Sequence, residues 1–366
     1  MQPATGSDSA ARRDALAGRL LEATLGLMEV AAVHIGDRLG LYQALARTPR
    51  VTSSQLAAAT GTHERYIREW LEQQAVSGLL QVDDPGRPAS ERRYALPPGH
   101  AEVLVDTDSL ATMLPFAQFG VGVIRVMPGL LEAFRTGGGL SWADFGADLR
   151  EAQAAQNRPA FLQLLGSEWL PAIPDVHARL RSDPSAHVAD VACGAGWSAI
   201  GIARTYPKVR VDALDLDPPS IELAQANVTQ AGLGDRVMAM VRDAADPALA
   251  GRYDLVTIFE ALHDMSRPVE VLRACRQLLA PGGSVLVVDE RVADAFVAPG
   301  DQVERLMYGF SILCCLPAGM ADQPSAATGT VMRAATVRRY AAEAGFQATD
   351  VLPIPSDFFR FYRLRP

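Results

Sequence analysis

From Asp14 to about Val33 the apolar positions Leu16, Leu20, Leu21, Leu25, Leu27 and Met28 recur at helical spacing. They cover more than one side, so the predicted helix needs burial in a core or against a second subunit. Gly40–Leu45 and Val51–Gly61 follow as short helical stretches, then a helix predicted from a Thr62 cap through Ser77. Leu79–Val82 and Tyr94–Leu96 flank the turn-rich run DDPGRPASERR. Helix, glycine turn, second helix and two-stranded ribbon is the order of a winged helix-turn-helix, expected over 13–96. Residues 1–12, rich in Ser, Ala and Thr, are expected to be a frayed tail.

Residues 97–186 read as mainly helical, with Met113, Phe116, Phe119, Val123 and Met127 before a Gly137–Gly139 break. Trp142, Phe145 and a helix from Phe161 to Trp169 follow. Aromatic side chains at a domain junction are pocket material, so Phe116, Phe119, Trp142 and Phe145 are candidates to roof a ligand site. From His187 the period changes. The runs Val188–Cys193, Val209–Leu214, Val237–Val241, Tyr253–Phe259 and Ser284–Val288 alternate with helical stretches, which predicts a parallel α/β sheet over 187–366. Thr349–Ile354 and Phe358–Leu364 are joined by too few residues for a crossover, so they must be antiparallel neighbours. An insertion at 301–328 carries Met307, Phe310, Leu313 and Leu316 at helical spacing and reads as a lid, with Tyr308 a lid candidate.

Composition narrows the function. The 366 residues carry a net charge of −8, and residues 1–100 hold eleven arginines against eleven acidic residues. A neutral winged helix in an acidic chain lacks the basic footprint of a nucleic-acid reader, so dimerisation is the expected use of the module. The richest apolar runs are broken by Glu22, Glu29, Asp37 and Arg125, so no membrane span is expected. No apolar stretch follows Arg12 and Arg13, so the N-terminus does not read as a signal peptide and the expected location is cytoplasmic. Cys193, Cys275, Cys314 and Cys315 form no CxxC pair, and His34, His63, His100, His177 and His187 have no ligand spacing, so no metal is expected.

The chemistry collects at strand ends. Asp190-Val-Ala-Cys-Gly194-Ala-Gly196 closes the first strand of the sheet with a turn whose glycines let a ligand approach the backbone at a helix N-terminus. Asp215, nineteen residues after Gly196, ends the second strand and is placed to accept two ribose hydroxyls. These two features alone also fit a nicotinamide dinucleotide. Asp190 favours a ligand with positive charge over a pyrophosphate, and Asp243 is placed to accept from an adenine amino group.

The segments VADVACGAG, VDALDLDP, VRDAADP, YDLVTIFEALHDM and LLAPGGSVLVVDE, in this order and spacing, resemble the class I S-adenosylmethionine-dependent methyltransferases. With its two N-terminal modules the chain is similar to small-molecule O-methyltransferases of the plant caffeate type and their bacterial relatives. The resemblance implies a Rossmann-like seven-stranded sheet with a C-terminal antiparallel hairpin, a small-molecule acceptor and a homodimer formed by the N-terminal domain. It implies that Asp190, Ala192, Gly194 and Gly196 hold the methionine part of S-adenosylmethionine. Asp215 and Leu216 would take the ribose and the adenine face, Asp243 and Ala244 the adenine edge, and Glu260 would lie near the sulfonium. Ala192 replaces the first loop glycine of the family, which is tolerable at negative φ. His263, in Leu262-His263-Asp264-Met265, occupies the place of the family's general base, which suits oxygen as the acceptor atom. Glu168, Glu290 and Arg291 are candidates to orient His263 or the acceptor. Transfer to nitrogen or carbon, and a winged-helix regulator whose second half only senses a ligand, are the competing readings.

Overall fold

The computed structural model describes residues 6–366, which fall into two compact units divided between Gly122 and Val123. In the first unit, helix α1 (Gly6–Arg38) leads to α2 (Leu41–Arg47), α3 (Ser53–Thr60) and α4 (Glu64–Val76). Residues 6–12 are therefore the start of α1 and not a frayed tail: Asp8 sits in the first turn, where the helix dipole favours an acid, and pairs with Arg12 one turn on. The rest of the expected tail, residues 1–5, lies outside the described residues.

Thr52 and Gln55 close a reciprocal cap on α3. The cap of α4 is His63, whose Nδ1 accepts the Arg65 N–H, and not Thr62, whose hydroxyl is engaged with Thr60 at 2.8 Å. Strands β1 (Gln81–Val82) and β2 (Tyr94–Ala95) pair antiparallel as the wing. Leu41, Tyr42, Leu56, Leu71 and Tyr94 are the centre of this unit's core. Helices α5 (His100–Leu104) and α6 (Leu114–Arg125) follow.

The second unit opens with α7 (Met127–Thr136), α8 (Trp142–Gln163), a π-helical turn at Leu165–Trp169 and α9 (Pro174–Arg181). Gly146, at φ 77°, kinks α8 near its start. The sheet elements are β3 (His187–Val191), α10 (Trp197–Thr205), β4 (Arg210–Asp215), α11 (Pro218–Gln230), β5 (Val237–Val241), β6 (Tyr253–Phe259), α12 (Pro268–Leu278) and β7 (Leu279–Glu290). Then come α13 (Gln302–Phe310), a π-helical turn at Ser311–Cys315, α14 (Leu316–Gly319), α15 (Ala334–Glu343), β8 (Ala348–Leu352) and β9 (Phe359–Arg365).

The seven strands run in the order β5-β4-β3-β6-β7-β9-β8. All neighbours are parallel up to β7, and the last two pairings are antiparallel, so the short final connection is a hairpin. β3 and β6 are buried along nearly their whole length, which is why they read as continuous apolar runs and not as alternation. The region expected as a separate linker divides between the units. Residues 123–186 belong to the sheet's unit because Phe161, Leu165, Trp169, Ile173 and Leu180 enter the same core as Val188, Ile200 and Val211. Each such side chain contributes about 1.5–3 kcal/mol by leaving water, so this stretch is part of the domain's foundation. Chain order reverses between β3 and β6, and a ligand crevice is expected at the carboxyl ends of strands at that switch point.

Candidate active site

At that crevice lies a cavity of about 820 Å³, entirely within the second unit. Its floor is the turn after β3, where Ala192 (φ 57°), Gly194 (φ 52°) and Gly196 (φ 78°) all adopt left-handed backbone. The tolerance expected for alanine at negative φ does not apply, since Ala192 holds the strained conformation itself. A Cβ on Gly194 would point into open space in the cavity, whereas on Gly196 it would meet the Ala224 Cβ at 3.1 Å. Gly194 thus leaves room for a ligand, and Gly196 lets α11 pack against the turn.

Asp190 lies beneath the turn and not on the cavity wall. Its carboxylate accepts the hydroxyls of Ser198 and Thr257, and burial pushes its pKa up to about 6 against those bonds. It therefore braces the loop from below and does not face a ligand. Asp215 does line the cavity. Its two oxygens accept the backbone N–H groups of Asp217 and Gly194, each at 2.9 Å, which fixes the carboxylate against the turn. Leu216 is exposed at the cavity edge, with Asp243 and Ala244 lining the same end. The Asp243 carboxylate is turned back on its own loop, accepting the Ala245 N–H at 2.8 Å.

Glu260, also left-handed (φ 49°), is buried and lines the cavity beside the turn. Burial raises its pKa to about 8, partly offset by His263. One of its oxygens, Oε1, is buried without a hydrogen-bond partner. An unpaired buried carboxylate oxygen carries a desolvation cost that an incoming donor relieves. Open space at Gly194, a fixed acid at Asp215 and an unsatisfied acid at Glu260 fit a cationic nucleoside such as S-adenosylmethionine.

His263 is fully enclosed one layer behind the wall, and its neighbour Asp264 lines the cavity. Nδ1 lies 2.8 Å from Asp289 Oδ1, and Nε2 lies 3.1 Å from Asp264 Oδ1. Burial disfavours the charged ring, but the two carboxylates outweigh it and hold the His263 pKa well above its ordinary value. Glu290 is buried behind them, where burial and Glu260 push its pKa far up.

Trp142 lines the cavity and Phe145 packs beside it, 6.1 Å between ring centroids, in the core. Phe116 and Phe119 belong to α6, Phe119 is buried, and neither lines the cavity. Glu168 points to solvent from the π-helical turn, because Leu165 and Trp169 take the inward positions there. Tyr308 is exposed on α13 and reaches Arg333 instead of the cavity. The insertion is helical as its spacing predicts, but the residues it gives to the wall come after α14: Ala321, Asp322 and Gln323, with Ala318 inside that helix. Arg291 is exposed and binds the Ser356 carbonyl. Arg150, Gln153 and Asn157, on one side of α8, line the cavity; their spacing of three and four was a legible signal, their destination was not.

The comparisons agree with this geometry. Residues 188–283 match the methyltransferase domain family, and residues 4–106 match the Rv2258c-like winged HTH domain. The chain is 28% identical over 272 residues to the mitomycin biosynthesis 6-O-methyltransferase of Streptomyces lavendulae, covering 73% of this chain and 75% of that one. It is 37% identical over 99 residues to the ubiquinone biosynthesis O-methyltransferase of Escherichia coli, but spans only 40% of that relative. Among solved structures, a mitomycin 7-O-methyltransferase superposes with a TM-score of 0.71 at 21% identity, covering 97% of this chain and 99% of the other. Human N-acetylserotonin methyltransferase in complex with its cofactor also gives 0.71, at 18% identity and 99% coverage of both chains. Fold, cavity and these likenesses converge: the chain carries a methyltransferase domain behind an N-terminal winged-helix domain, on the fold shared by these methyltransferases.

Proposed function

We propose that this enzyme methylates a hydroxyl of a small, largely apolar molecule. The observation that carries the reading is the continuity of one cavity from Asp215 to Asp264, behind which His263 lies with Nε2 3.1 Å from Asp264 Oδ1. Its volume lies in the range of small-molecule sites, and Trp142, Phe161, Met265 and Ala318 give it an apolar wall.

The bound cofactor supplies a methyl carbon activated by its sulfonium. Around it Asp215 takes the ribose hydroxyls, Asp243 and Ala244 the adenine edge, and the Gly194 turn the methionine part. Glu260 takes the α-ammonium group. The cavity wall aligns the acceptor oxygen with the methyl carbon. When the acceptor oxygen takes the methyl group and the carbon–sulfur bond breaks to leave the neutral thioether, the hydroxyl proton would pass through Asp264 to His263, whose charged ring Asp289 would stabilise. The O-methyltransferase names of the mitomycin and ubiquinone relatives support oxygen as the acceptor atom.

The first unit acts in assembly. Leu16, Leu20, Leu21, Leu25 and Met28 are exposed along α1, more apolar surface than a lone helix leaves in water, and a second copy of the chain is the proposed cover. Arg65 and Arg68 of α4 pair with Glu69 and Glu64, which speaks against this helix as a reader of phosphates. Among the described residues no single helix is long and apolar enough to cross a membrane.

The test is incubation with S-adenosylmethionine and matched phenol, aniline and thiophenol acceptors, followed by mass spectrometry. Methyl ether formation dependent on the protein supports the reading. Methylation of nitrogen or carbon alone overturns it.

A further inference from the structure

Arg150 stands on α8, far from the sheet in sequence, yet its guanidinium Nε donates to Asp217 Oδ2 at 2.8 Å. A second nitrogen lies 3.5 Å from Oδ1. Both side chains are mostly buried. Asp217 is the cap of α11, where the same Oδ2 accepts the Ser220 N–H at 3.0 Å and the Ser220 hydroxyl at 2.6 Å. Its backbone N–H, in turn, donates to Asp215 Oδ1. One chain of charge-assisted bonds thus runs from a helix of the acceptor wall to the acid that faces the ribose. The Asp217 pKa is held low despite burial, by Ser220 and then Arg150, so the carboxylate stays ionised and the clamp stays charged. The same helix sends Asn157 to Glu260 at the other end of the cofactor site.

We infer that Arg150 is a positioning residue for the cofactor: by clamping Asp217 it fixes the Asp215 carboxylate in the orientation that accepts the two ribose hydroxyls. The proposal rests on the reading that S-adenosylmethionine occupies this cavity. A structural brace and a ribose clamp differ in one respect. A brace supports any ligand of the cavity, whereas this clamp matters only to a ligand that has the hydroxyls.

The experiment is titration calorimetry on the full chain, with S-adenosylhomocysteine and with its analogue lacking the 2′ and 3′ hydroxyls. Arg150→Met should weaken S-adenosylhomocysteine by about 10–100-fold, the range of a lost charge-assisted bond. It should leave the dideoxy analogue within about threefold of its wild-type affinity. Arg150→Lys should recover part of the loss, because it restores charge without the planar fork. Asp217→Asn keeps the size of the cap and should reproduce the pattern, so an unfolded Arg150→Met leaves the test intact. Equal losses for both ligands, or no loss for either, overturn the clamp. Failure of the wild-type chain to bind S-adenosylhomocysteine removes the cavity reading itself, and the clamp with it.

Discussion

Single residues carry opposite kinds of strain in this site. Ala192 spends its energy on backbone: a left-handed L-residue costs roughly 1–2 kcal/mol, and the side chain at that position is only a methyl. Ala192→Gly should raise stability by about 1 kcal/mol, seen as a Tm increase of about 2–4 °C by calorimetry; an unchanged or lower Tm would mean the methyl group does more packing than strain. Glu260 has the same backbone but keeps a side chain with work to do. Its pKa of about 8 leaves it mostly protonated at pH 7, and a bound ammonium favours the ionised form. Cofactor binding at pH 7 should therefore release a proton, read as a dependence of the binding enthalpy on the buffer's ionisation enthalpy. The release should vanish in Glu260→Gln.

His263 gives the sign of the pH profile. A base must be neutral to accept, and its pKa is held above the ordinary histidine value, so the rate should rise with pH through that raised pKa and fall below it. Asp289→Asn removes one carboxylate and should move this limb to lower pH. His263→Gln should cut turnover by about 10²–10⁴-fold with S-adenosylhomocysteine affinity retained; full turnover would make the ring a structural cation between two acids. At this scale the sequence was most informative where chemistry sits at strand ends. Asp215 ends β4, Asp243 comes two residues after β5 and Glu260 comes directly after β6, so finding the strands found them. Asp190 was misread because a residue near the last position of a strand faces either the ligand or the layer beneath, and only packing decides which.

Between elements, close approach is the governing quantity. Helices α8 and α10 meet at Gly201, where a Cβ would stand 2.2 Å from the Phe161 carbonyl oxygen. Gly201→Ala should push α8 outward and destabilise the protein by about 1–3 kcal/mol, measured by denaturant titration. The same displacement should weaken cofactor binding through Arg150 and Asn157. Elements themselves were legible from periodicity, since six of the seven strands of the sheet lie within two residues of where the pattern places them, while β7 begins at Leu279 and not at the expected Ser284. Their contacts were not. Nothing local to Arg150 points to Asp217, sixty-seven residues on. Likewise the insertion reveals its helices through Met307 and Phe310, while its contribution to the cavity comes from the small residues that follow.

For the whole molecule, the exposed leucines of α1 argue for an assembly larger than one chain. Leu21→Glu combined with Leu25→Glu should convert a dimer to a monomer in sedimentation velocity, with the helix content unchanged. A wild-type monomer at micromolar concentration would contradict the proposed role of the first unit. The central claim concerns the second unit, and titration calorimetry with S-adenosylhomocysteine tests it most directly. One molecule should bind per chain, and Asp215→Ala should weaken it by about 10–100-fold. No heat and no stabilisation with the wild-type chain, or binding that ignores Asp215, would contradict the account.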